Sequence, residues 1–251
     1  MSKLPEGNRF WDFSDYGRPF AVAIANALKT TSISPVQVTW SFVMVGIAAI
    51  WAIWFEYYAV VLLLLIIKSI LDAADGELAR VKNTPSYTGR YFDSIADWIL
   101  NLGIIICIGI KLGYPLLIVL FAFASMELQG TLYNYYYVIL RYKHSGDTTS
   151  RIIETHCPKA FEGESQKMVD FLFNTYRILY GPFDRLIYEL DPSASVDRKL
   201  SKSFMTLVST CGLGFQLLLI GILLMVNCIQ WVLPFFICYN VMIALFILTR
   251  K

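Results

Sequence analysis

Four aspartates carry the first chemistry this sequence offers. Asp72 and Asp75 stand three residues apart and Asp93 and Asp97 four apart, so on helices each pair shares one face. The stretch that holds them, DAADGELARVKNTPSYTGRYFDSIAD, joins two segments that are otherwise almost wholly apolar. A carboxylate at a bilayer midplane costs roughly 2.5 kcal/mol or more, so four together need compensation. Arg80 supplies one positive charge, and bound metal is the obvious remainder. Two antiparallel helices joined by a short polar loop bring the two pairs face to face. Opposed carboxylates suit a hard cation that keeps positions open for phosphate, as Mg2+ does and Mn2+ can. Two such ions balance four carboxylates and can clamp a pyrophosphate. Gly76, Ala79 and Gly89 flank the cluster and leave room for a flat ring, while Arg80 offers a fork of donors to phosphate oxygens. A single D-x-x-D on a helix is more often a solvated face. Eight positions spaced D-x2-D-G-x2-A-R-x8-G-x3-D-x3-D between apolar spans are not explained that way.

The elements that must position these groups are membrane helices. The chain is 57% hydrophobic and 16% charged over 251 residues, a membrane-protein composition. Apolar runs predict spans at roughly 36–55, 58–74, 91–110, 114–140, 204–227 and 230–249. The expected fold is therefore an all-α integral membrane protein with six transmembrane helices. An N-terminal interfacial helix precedes them, and a cytoplasmic helical insert separates spans four and five. The divisions are 1–34 (cytoplasmic or interfacial), 35–142 (spans one to four, with the site), 143–203 (helical linker) and 204–251 (spans five and six). No cleavable signal peptide is expected from the polar first thirty residues.

With six spans, 19 of the 21 Lys and Arg residues fall on one side, the exceptions being Lys68 inside span two and Lys111 in the opposite turn. The positive-inside rule then places both termini and the aspartates in the cytoplasm. Phe10, Trp11 and Phe13 read as a headgroup-level anchor, and Ser14 as the N-cap of a helix with Phe20, Ile24 and Leu28 on one stripe. That helix either lies along the interface or packs on protein. Pro35 opens the first span, and a short turn near Glu56–Tyr58 makes spans one and two antiparallel neighbours. Residues 143–203 carry nine basic and nine acidic side chains. Within them Met168, Phe171, Leu172, Thr175, Ile178 and Leu179 form a helical stripe interrupted at Gly181–Pro182, expected to cover the inner mouth of the bundle. The last two spans read as a plain apolar hairpin. Five cysteines, four of them in the spans, imply no disulfide framework, and His144, His156 and Cys157 match no zinc spacing.

The aspartate stretch resembles the signature of the CDP-alcohol phosphotransferase (CDP-alcohol phosphatidyltransferase) family of integral membrane enzymes that make phospholipids, and it matches every defining position. The family's P-N-x-x-T element is kept at Pro35 and Thr39, with Val36 where the family has Asn. The resemblance implies transfer of a substituted phosphate group from a CDP-linked donor to an alcohol, with release of CMP. Asp72, Asp75, Asp93 and Asp97 would hold two Mg2+ or Mn2+ ions on the donor's pyrophosphate. Gly76, Ala79 and Gly89 would admit the cytidine, Arg80 would meet phosphate, Thr39 would belong to the same pocket, and Asp97 would serve as general base. A homodimer is implied as well.

Two subclasses compete, one using CDP-diacylglycerol with a small alcohol, the other a CDP-amino alcohol with diacylglycerol. In span four Glu127 precedes Tyr133, Tyr135, Tyr136 and Tyr137, and an acid beside aromatic faces suits a cationic head group such as choline or ethanolamine. GTLY at Gly130–Tyr133 also resembles a fragment of the choline/ethanolamine phosphotransferases. The alternative is an interfacial tyrosine belt. Lys68, one turn before Asp72, either neutralises the acids or binds phosphate. Two other function classes compete. A membrane prenyltransferase acting on a Mg-diphosphate would leave the A-R-x8-G linkage unexplained. A divalent-cation transporter would not need the small-residue ledge. Membrane lipid is the expected surroundings, and no nucleic-acid partner is expected.

Overall fold

The computed structural model of the protein describes Leu4 and residues 9–143, 151–197 and 200–250. Among these residues the regular structure is helical throughout. In chain order come α1 (Arg18–Leu28), α2 (Pro35–Trp54), α3 (Tyr58–Lys82), α4 (Tyr87–Lys111), α5 (Leu116–Lys143) and α6 (Gln166–Leu179). They are followed by α7 (Gly181–Leu190), α8 (Ser193–Asp197), α9 (Lys202–Val208), α10 (Leu213–Met225), α11 (Val232–Tyr239) and α12 (Val241–Arg250). Four helical stretches are long and apolar enough to cross a membrane: α2, α4, α5 and Ile229–Arg250. The pair α9–α10 passes only as one bent span. Helix α3 has 25 residues, but Lys68, Asp72 and Asp75 interrupt its apolar run.

Local chemistry fixes the helix ends around the aspartates. At the start of α2, Ser34 Oγ accepts from the Gln37 N–H at 3.3 Å and Gln37 Oε1 accepts from the Ser34 N–H at 2.8 Å, a reciprocal capping box ahead of Pro35. Helix α3 stops at Asn83, whose φ of +53° asparagine tolerates well, and the Thr84 N–H closes the turn on the Ala79 carbonyl at 3.0 Å. Ser86 then caps α4 through the Gly89 N–H at 2.8 Å. The four-residue link between α3 and α4 makes them neighbours and turns both aspartate pairs inward. Helices α2, α3 and α4 pack around Phe42, Leu65, Leu100 and Ile104, all buried.

Three local expectations change. Ser14 is not an N-cap of α1: Asp12 caps the short 3-10 turn Phe13–Asp15 through the Ser14 N–H, and α1 begins three residues later behind Gly17. The helix packs on α3 through Ala21 and Ala25, with Ile24 and Leu28 of the expected stripe partly buried beside them, while Phe20 and Trp11 point outward. The last two spans are not a plain hairpin. A bend of 51° divides α9 from α10 beside Gly212, where the N-terminal segment presses in. Ser14 Oγ accepts from the Gly214 N–H at 3.1 Å, and a Cβ on Gly214 would lie 1.9 Å from the Ser14 carbonyl oxygen. The third change concerns α6, whose buried face is Val169, Leu172, Phe173 and Tyr176, against Tyr91 and Ile95 of α4. Of the expected stripe Leu172 is buried and Leu179 packs partly on the same cluster, whereas Met168, Phe171 and Ile178, on the flank of that face, are exposed. The break between α6 and α7 falls at Tyr180, next to the expected Gly181–Pro182.

Polar side chains inside the bundle bind across helices. Gln129 donates to the Phe236 carbonyl at 2.7 Å, Gln216 to the Met126 carbonyl at 2.9 Å, and Asn240 to Ser125 Oγ at 2.7 Å. All five cysteines are free. Cys157 meets Asp170 and His156 meets Thr155, so these two do not converge, and His144 lies outside the described residues.

Candidate active site

The aspartates open onto a cavity of about 1020 Å³ bounded by α1 to α7 and α10. Asp72 and Asp75 come from the last turns of α3, Asp93 and Asp97 from the second and third turns of α4. Carboxylate oxygens of Asp72, Asp75 and Asp93 all lie within 4.8 Å of one another. Thr39 of α2 donates its hydroxyl to Asp75 Oδ2 at 2.6 Å and so fixes that carboxylate. Asp93 Oδ1 is buried without a hydrogen-bond partner. Three converging acids with an unpartnered buried oxygen among them have the chemistry to hold a hard divalent cation, and the residues present fit one.

Asp97 is brought to the same cavity but takes a different partner. Lys68, fully buried one turn before Asp72, places its ammonium 2.5 Å from Asp97 Oδ1 and 4.9 Å from the centre of the Phe42 ring. Of the two roles open to Lys68, neutralising the acids is the one its contacts display. Arg80 is likewise held on protein, its Nη2 2.7 Å from Glu77 Oε2, an oxygen that Arg18 of α1 also reaches at 3.1 Å. Gly76, Ala79 and Gly89 line the cavity, and a Cβ on Gly76 would meet nothing nearer than Arg80 Nη1 at 3.7 Å. Space for a flat ring is therefore present beside the acids.

The groups considered for the head group separate into two sets. Glu127 is buried on the cavity wall and accepts from Asn101 Nδ2 at 3.2 Å, with Asn101 Oδ1 left unpartnered. Tyr133 and Tyr137 also line the cavity, ring centres 5.5 Å apart, and the Tyr133 hydroxyl donates to Asp12 Oδ2. Tyr135 and Tyr136 face away. Their hydroxyls donate to the carbonyl and carboxylate of Asp191, which also pairs with Arg250. Neither is a headgroup contact, and neither belongs to an exposed belt, since both are buried.

Spacing alone does not reveal Glu77, Arg18 or Asn101, nor which residues of the expected cover over the inner mouth reach the cavity. Glu77 has one local signal, its position three residues before Arg80. Tyr176, Tyr180 and Asp184 close one side of the cavity, with the Tyr180 hydroxyl on the Ser94 carbonyl at 2.8 Å. Burial, and next the neighbouring Glu154 carboxylate, push the Asp184 carboxyl up to about 7. Glu154 itself pairs with Arg90 at 2.5 Å. At the start of α4, Glu164 accepts from Ser86 Oγ and the Thr88 N–H, each at 2.8 Å. Burial raises the Glu164 carboxyl, but these bonds outweigh it and hold the group below the usual carboxylate range.

The family model described as CDP-alcohol phosphatidyltransferase matches residues 22–151, more than half of the chain and every aspartate of the cluster. No curated protein matches the sequence.

Proposed function

The chain belongs to the CDP-alcohol phosphatidyltransferase family, and from that premise we propose that it makes a phospholipid by moving a substituted phosphate from a CDP-linked donor to an alcohol. The observation that carries this reading is the convergence of Asp72, Asp75 and Asp93 beneath a ledge of small residues, with the Lys68–Asp97 pair beside them. Asp72, Asp75, Asp93 and Asp97 are the residues that would hold Mg2+ or Mn2+, two ions per site, which when bound neutralise and grip the donor's pyrophosphate. Gly76, Ala79 and Gly89 leave the cytidine its space, and Arg80, anchored on Glu77, faces the phosphates. Thr39 sets the Asp75 carboxylate.

Asp97 takes the proton of the acceptor hydroxyl. The freed oxygen bonds to the phosphorus distal to cytidine while that phosphorus loses its bond to the CMP oxygen, and CMP leaves with the electron pair. A cationic amino-alcohol head group fits the far end of the cavity, where Glu127 supplies charge and the Tyr133–Tyr137 pair supplies ring faces. Helix α3 is read as a sixth crossing, since its charges face the cavity, and the basic residues put the aspartates on the cytoplasmic side. A homodimer is carried over from the family resemblance.

Three measurements test the site. Ala79→Trp fills the ledge and is expected to abolish binding of a CDP donor, read by titration calorimetry, with helix content unchanged by circular dichroism. A radiolabelled panel of CDP-diacylglycerol, CDP-choline and CDP-ethanolamine, with vesicles and Mg2+ or Mn2+, is expected to yield CMP and one lipid product identified by mass. Glu127→Gln should then weaken use of the cationic substrate without lowering metal binding. An unchanged substrate profile removes Glu127 from head-group recognition.

A further inference from the structure

Helix α6 has three faces rather than two. Val169, Leu172, Phe173 and Tyr176 are buried on α4. Lys167, Asn174 and Arg177 form an exposed polar sector. Between them Met168, Phe171 and Ile178, spaced as one stripe with Thr175, are 48%, 66% and 75% exposed. A helix that only covered a protein surface would have no use for the third sector.

The depth of α6 says what meets it. At the far end of α4, Lys111 donates to the Trp54 carbonyl at 3.0 Å beside the half-exposed Trp54 ring, an arrangement typical of a headgroup boundary. At about 1.5 Å per residue, Ile95 and Tyr91 lie roughly 24 and 30 Å from Lys111 along the helix. The hydrocarbon layer is about 30 Å thick. The residues of α4 that carry α6 therefore sit where acyl chains give way to head groups. An exposed apolar surface also adjoins the helix: Phe92, which packs on the buried face of α6, lies 5.0 Å from the exposed Trp40 ring of α2.

We propose that α6 is a membrane-inserted helix whose Met168–Phe171–Ile178 face is buried among phospholipid acyl chains of the leaflet nearer the aspartates. Lys167 and Arg177 on its polar sector then lie at head-group level, where anionic lipid complements them. The opposite face supplies Tyr176 to the catalytic cavity, so one helix separates bilayer from site. The inference concerns position in the membrane and does not depend on the reaction proposed above.

The test uses the full chain with its native cysteines replaced, in phosphatidylcholine vesicles containing acyl-chain-brominated lipid. A fluorophore is attached to a single cysteine introduced as Phe171→Cys, Ile178→Cys or Asn174→Cys, all exposed positions where the fold tolerates the change. Bromine is expected to quench labels at 171 and 178 several-fold more than at 174. Equal quenching at the three positions, or none, overturns the proposal. So does disulfide cross-linking of Phe171→Cys between two chains, which would show a second copy covering this face.

Discussion

Asp97→Asn is expected to lower CMP release by roughly 10²–10⁴-fold while a CDP donor still binds. Asparagine keeps the shape and one hydrogen-bond acceptor for Lys68 but cannot take a proton from the acceptor alcohol. Asp97 is one of the four proposed metal ligands, but the three carboxylates that converge within 4.8 Å do not include it, so the ion these three would hold keeps a grip on the nucleotide. Asp93→Asn is the contrasting control: it changes the carboxylate with the unpartnered oxygen and should lose Mg2+-dependent nucleotide binding along with turnover. Single-turnover CMP release beside equilibrium donor binding separates the two. Normal turnover in Asp97→Asn would move the base elsewhere in the cavity, and Glu127 is the next carboxylate available.

Lys68→Met has the second large effect, on the fold. Its ammonium is fully buried, 2.5 Å from Asp97 and against the Phe42 ring, and removing it leaves a carboxylate in low dielectric without its counter-charge. Breaking one side of such a pair costs about 3–5 kcal/mol, whereas replacing both sides costs far less. Lys68→Met should therefore melt well below the parent protein in chelator, and Lys68→Met/Asp97→Asn should recover most of that loss while remaining inactive. If the single and double variants melt together, the pair is not what stabilises this part of the bundle. Both measurements are made by heating the detergent-solubilised protein and following helix content.

Much of the architecture was readable because hydrophobic run length is a local property. The expected spans at 36–55 and 230–249 lie within a residue or two of α2 and of Ile229–Arg250. The aspartate spacing put each pair on one helix face, and the short link made the helices neighbours, but it did not announce that Asp97 would pair with Lys68 while the other three converge. Long-range contacts were not readable. The bend beside Gly212 lies against Ser14, some two hundred residues earlier, and although Gly212 and Gly214 mark a weak point in the run, nothing near them signals that contact. Tyr135 and Tyr136 look like their neighbours Tyr133 and Tyr137, yet a helix turns adjacent residues to different surroundings, here Asp191 rather than the cavity. For α6, periodicity identified residues that share a face, but periodicity is silent on what that face meets.

Carboxylates fasten the 151–191 stretch at both corners. Glu154 and Glu164 tie its beginning to α4, and Asp191 ties its end to Tyr136 and Arg250. A cover bolted in this way cannot swing up as a flap, because both attachments would have to break together. The stretch therefore stands as a fixed wall of the cavity, with Tyr176, Tyr180 and Asp184 held in place on it.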